Sequence, residues 1–173
     1  MPALPILEAP HPILSRKARP VEPHEFNSEL AQLLQDMTDT MYLAPGVGLA
    51  APQVGDSRRI LVIDPGNNDD DAPPQLFQLV NPKIIEKSTE LIQYDESCLS
   101  VPEYSLMMDR SQRIHLSWQD ASGQTHNQWF EDFPAIVVQH ELDHLEGKTL
   151  LDHSSRFARS RYIKKRSKRR KRR

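Results

Sequence analysis

The stretch that most constrains this chain is residues 138–147, Val-Gln-His-Glu-Leu-Asp-His-Leu-Glu-Gly. His140 and His144 are four residues apart, so their imidazoles leave the same face of a helix, one turn above the other. Their nitrogens can then share a metal ion, and Glu141 can lean toward it as a proton acceptor without being a ligand. The spacing predicts a helix, and its flanks agree: Asp132 reads as the N-cap, Pro134 as a first-turn residue, and Gly147 as the stop. Taken alone, the pattern also describes an amphipathic helix with two satisfied histidines. Other segments must decide between the two.

The remaining chain supplies a frame for that helix. Residues 1–23 read as a proline-punctuated lead-in. Phe26, Leu30, Leu33, Leu34, Met37, Met41 and Leu43 then recur at helical spacing, which predicts a core-packing helix over 24–43. Strand patterns follow at 59–64, 76–81, 83–87, 90–95, 113–119 and 125–130, with Pro82 separating the second from the third. The loop 65–74, with three consecutive aspartates, lacks calcium-site spacing and reads as a solvated tip. Strands between two helices point to an α+β fold, with antiparallel or mixed sheets wrapped around the metal-binding helix.

Two further segments carry chemistry. Residues 46–53, Gly-Val-Gly-Leu-Ala-Ala-Pro-Gln, give a backbone that a ligand can approach closely, with Gln53 as its polar side chain. Cys98 is the single cysteine, which excludes an intrachain disulfide. A lone cysteine is commonly just a small buried residue. Beside two histidines at ligand spacing it completes a three-donor set with the fourth tetrahedral position open, as catalytic sites require.

Charge divides the chain in two. From residue 156 onward there are 12 Lys/Arg and no Asp/Glu, leaving 10 basic and all 24 acidic residues in 1–155, a formal charge of −14. The organisation expected is a catalytic domain over 1–155 and a basic C-terminal arm over 156–173, disordered or partly helical because its charges repel. No apolar run is long enough to span a bilayer, and the first residues lack the basic and apolar regions of a signal peptide, so a cytoplasmic protein without a membrane partner is expected.

Together the three motifs resemble those of the peptide deformylases: Gly-x-Gly-Leu-Ala-Ala-Pro-Gln at 46–53, Glu96-Ser97-Cys98-Leu99-Ser100 with serine in place of the family's glycine, and Gln-His-Glu-x-Asp-His-Leu at 139–145. The resemblance implies that Cys98, His140 and His144 hold one divalent metal, Fe(II) in many members and Zn(II) or Ni(II) in others. It implies that Glu141 handles the proton while Gln53 and the Leu99 backbone N–H stabilise the oxyanion during removal of formyl groups from N-formyl-methionyl peptides. Gly46, Val47 and Gly48 would pair with the peptide backbone, and Ile136 and Val137 would wall the methionine pocket. Asp143 is expected to pair with Arg110 behind the metal. The arm would contact the ribosome through its RNA, and a monomer is expected. Ser97, and Tyr104-Ser105 where many members place an arginine, depart from the family pattern. They motivate the alternative of an inactive or altered-substrate homologue kept for RNA binding. A His-Glu-x-x-His peptidase fits less well, since those enzymes usually take a third His or Glu downstream.

Overall fold

A computed structural model describes residues 3–67 and 69–172. The first long helix, α1 (Ser28–Leu43), begins later than its apolar spacing suggested. Asn27 caps it by accepting from the Leu30 N–H at 3.1 Å, and the preceding Pro23–Glu25 forms a separate 3-10 turn. Seven strands follow: β1 (Gly48–Ala50), β2 (Ile60–Ile63), β3 (Phe77–Lys87), β4 (Leu91–Cys98), β5 (Val101–Ser111), β6 (Arg113–Gln119) and β7 (Thr125–Glu131). Next come α2 (Phe133–Leu145) and α3 (Arg156–Arg172).

All pairings between these strands are antiparallel. Five strands form one sheet in the order β1-β2-β3-β6-β7, while β4 and β5 form a separate hairpin. The sheet is covered on both faces near β2. Ile60 and Val62 pack with Leu30, Leu34, Met37 and Met41 of α1, and Leu61 and Ile63 pack with Val137, Val138 and Leu145 of α2. Two helical coverings explain why β2 is apolar at every position instead of alternating. Burial of each such side chain contributes about 1.5–3 kcal/mol.

Three strand expectations change. Pro82 does not separate two strands: it lies in a register shift between Val80 and Lys83 inside β3, where a missing N–H costs little. The preceding Asn81 takes φ 51°, and its side chain grips both backbone groups of Val21. β1 was hidden in the glycine-rich segment. β5 was missed because residues 103, 105, 107 and 109 are all exposed, so its one buried side becomes visible only beside β4.

The metal-helix signals hold at both ends in position, with Pro134 in the first turn, and differ only in how the N-terminus is capped. Gly147, at φ 74°, closes α2 in a Schellman arrangement, with the Gly147 N–H on the His144 carbonyl and the Lys148 N–H on the Asp143 carbonyl. Asp132 is the N-cap residue, its carbonyl accepting from the Ile136 N–H at 3.1 Å, but its side chain makes no cap hydrogen bond. It adopts φ 58° to turn the chain sharply out of β7, and its carboxylate accepts from Gln112 instead.

The arm is helical throughout α3, beyond the disordered or partly helical expectation. Acidic groups of the body offset its self-repulsion: Arg166 pairs with Glu8 and Arg169 with Glu103. Tyr162 stacks edge-on against Tyr104 and donates to the Pro102 carbonyl at 2.8 Å. Among the described residues no helix is long and apolar enough to cross a membrane.

Candidate metal centre

Two rigid elements bring the donors together. Cys98 ends β4, just before the tight turn at Leu99 and Ser100, and α2 presents His140 and His144 one turn apart. One ligand atom from each of Cys98, His140 and His144 lies within 4.8 Å of the others, and Cys98 Sγ is 3.3 Å from His144 Nε2. Burial pushes the Cys98 thiol up, but His144 and His140 outweigh it and hold the group well below its ordinary value. Burial conversely lowers both histidines, and the sulfur, with Glu96 beside His140, reverses that effect in each. One sulfur and two imidazole nitrogens held this close form a donor set suited to a divalent transition metal.

Glu141 is buried beside the trio, with Oε1 4.0 Å from His140 Nε2. Burial raises its pKa, opposed by the two histidines. Its Oε2 has no hydrogen-bond partner among the described residues, an uncommon condition for a buried carboxylate oxygen. Gly48 makes room for it: a Cβ there would lie 2.7 Å from Glu141 Oε1. Gln53, in the 3-10 turn Ala51–Val54, is locked in place. Its Oε1 accepts from the Ala50 N–H at 2.9 Å, and its Nε2 lies 3.0 Å from Ser100 Oγ and 3.8 Å from Cys98 Sγ.

These groups face one cavity of about 410 Å³. Gly46, Val47 and Gly48 form one side, Ile136 and Val137 another, and Gln53, Cys98, Leu99, His140 and Glu141 also line it. His144 is buried behind this surface. The site residues expected from the motifs are thus brought together.

Matching the family model described as polypeptide deformylase, residues 3–160 cover most of the sequence. The chain belongs to the peptide deformylase family. It is 42% identical to a peptide deformylase of Erythrobacter litoralis over 92% of this chain and 93% of that one. It is also 42% identical to that of Zymomonas mobilis, over 99% and 97%. The solved peptide deformylase of Ehrlichia chaffeensis in complex with actinonin is similar over 98% of both chains, at 34% identity and a TM-score of 0.89. That of Thermotoga maritima gives 0.81 at 37% identity, covering 88% of this chain and 97% of that one.

Sequence reasoning placed Glu96 in the second motif but gave it no role. Its carboxylate accepts two hydrogen bonds from Arg110, each 2.8 Å, and contacts His140 Nδ1 at 2.8 Å. That contact fixes the proton on Nδ1 and turns Nε2 toward the donor cluster. Arg110 reaches Asp143 at 2.9 Å, the pair anticipated from sequence, so one guanidinium ties the hairpin to α2. A usable signal was present: Glu96 stands two residues before Cys98 in the same motif. Tyr94 and Phe133 were also missed. Their rings, 5.2 Å apart, extend the apolar wall of the cavity.

The departures have structural answers. Ser97 lines the cavity but is not among the residues with positive φ, so its side chain is carried without left-handed strain. Tyr104 bonds Ser154 and packs on Tyr162, holding α3 in place.

Proposed function

We propose that this chain is a metal-dependent hydrolase that removes the formyl group from the N-terminal methionine of nascent peptides, releasing formate and a free amine. The observation that carries this reading is the buried, unpartnered Glu141 Oε2 beside the Cys98, His140 and His144 trio, in one cavity with an apolar wall.

Cys98, His140 and His144 would hold one divalent ion; Fe(II) is our assignment for the cell, with Zn(II) or Ni(II) able to replace it. Such an ion supplies Lewis acidity, making water acidic enough to attack near neutral pH and polarising the formyl oxygen. Glu141 accepts the attacking water's proton and returns it to the departing amine nitrogen. The Gln53 amide and the Leu99 backbone N–H donate to the oxygen that gains negative charge, and one such donor typically supplies about 3–4 kcal/mol. Gln53 is fit for this role because its Oε1 bond to Ala50 prevents rotation of the amide.

β1 is an edge strand of the larger sheet, which supports backbone pairing of the peptide alongside Gly46, Val47 and Gly48. Ile136 and Val137, with Phe133 and Tyr94, would enclose the methionine side chain. The basic helix α3 would attach the enzyme to ribosomal RNA, in a salt-dependent manner, as a cytoplasmic monomer.

The test is formate release from a formyl-Met tripeptide by protein loaded anaerobically with Fe(II), beside Glu141→Gln. Turnover that falls about 100- to 10,000-fold in the variant supports the assignment. Equal rates, or no formate at verified metal occupancy, overturn it.

A further inference from the structure

The open end of the cavity differs in charge from its floor. Asp95 and Glu103 line it and are exposed, whereas among the described residues no Lys or Arg lines it. The two other lining carboxylates are buried: Glu96 is bound to Arg110, and Glu141 belongs to the metal centre. Ser105, facing Ser97 across the hairpin, supplies no compensating cation at the lip.

Glu103 stands at a boundary. It lines this cavity and also the groove between α3 and the body. It sits at φ 62° inside β5, a conformation that persists in a non-glycine residue only where surrounding contacts hold it. α3 provides such contacts on both sides of the Pro102–Glu103 peptide: Tyr162 Oη donates to the Pro102 carbonyl at 2.8 Å, and Arg169 pairs with the Glu103 carboxylate. The Glu103 side chain nevertheless remains 61% exposed, so a ligand leaving the cavity can reach it.

We propose that Glu103 determines substrate specificity. Its carboxylate, with that of Asp95, favours peptides carrying a basic side chain after the formyl-methionine and disfavours acidic ones, while Arg169 sets how much of that charge the peptide meets. The proposal rests on the deformylase reading of the cavity. It follows from charge placement: a peptide whose first residue fills the cavity must carry its next side chains past a lip with two carboxylates, where the described residues offer no cation except Arg169 on the far side of Glu103. Arg169 competes with the peptide for one of them, so removing it exposes more negative charge.

The experiment compares kcat/KM for formyl-Met tripeptides with lysine, alanine or glutamate in second position, at low and high salt. It uses the full chain and its Glu103→Gln, Glu103→Asp and Arg169→Gln variants. A screened pair at a partly exposed rim predicts a lysine-over-glutamate preference of about fivefold at low salt. That ratio widens in Arg169→Gln, persists in Glu103→Asp, shrinks in Glu103→Gln and collapses at high salt. Equal ratios in the wild type and Glu103→Gln, or a preference for glutamate, overturn the proposal. Absence of turnover on the alanine peptide would sink the deformylase reading instead. Dissociation constants of the same peptides, by calorimetry, then decide the charge preference by the same ordering.

Discussion

Helices α2 and α3 differ in what holds them. α2, of 13 residues, has seven buried ones, two of which are ionisable: Glu141 and His144. α3, of 17 residues, carries the basic run and leaves Phe157 76% exposed. α2 is fixed by packing on the sheet and by the Arg110 link to the hairpin, whereas α3 rests on Tyr162 and charge pairs with Glu8 and Glu103. Chemistry that needs groups held within a fraction of an ångström sits on the first kind of helix. The second kind leans on charge pairs that salt screens.

The comparison breaks hardest at the donors. Cys98→Ala is expected to lower metal affinity by more than about 100-fold, since even an outer-partner change costs 10–100-fold; metal content after dialysis measures it, and retained metal would remove Cys98 from the ligand set. Next is Gly48→Ala, whose Cβ would meet Glu141 Oε1 at 2.7 Å. Displacing Glu141 by about 1 Å should lower kcat about 100-fold. Cost in stability should be only about 1–3 kcal/mol, so kinetics and chemical denaturation on one sample separate the two effects.

Glu96 sharpens the comparison from the side of stability. Arg110 and His140 overcome the upward push of burial and hold its carboxyl at about 2, below the ordinary 4.5. A depressed acid stabilises the fold fully above the ordinary value, and that stabilisation is lost as pH falls from about 4.5 toward 2. Metal-free wild type should therefore lose on the order of 3 kcal/mol across that window, while Glu96→Gln starts lower and slopes less. Parallel denaturation midpoints in the two proteins would contradict this. The smallest effect is expected in α3: Arg166→Ala should cost at most about 1 kcal/mol and vanish at high salt, because its bridge to Glu8 lies near the surface. Circular dichroism of the full chain against ionic strength checks it.

Legibility in the sequence followed the same division. The donors, Glu141 and Gln53 were readable because each lies in a short motif whose local geometry dictates direction. Glu96 also lies in a motif, but its role was not readable, because it depends on Arg110, fourteen residues away and across the hairpin. Asp132 looked like a cap, yet the turn out of β7 imposes φ 58° and takes its carboxylate away from the helix. Pro82 looked like a strand break, yet the bulge in β3 absorbs it.

By itself, the sequence determined the helical spacing of His140 and His144, the Gly147 stop, the small-residue approach at Gly48 and the segregation of basic charge into the final residues, all set by neighbours within a few positions. Only the tertiary structure decided that β4 carries Cys98 against α2, that Glu96 and Arg110 brace the cluster, and that α3 meets Glu103 beside the cavity. Those outcomes join residues far apart in the chain, and the closure of the hairpin on the helix selects them.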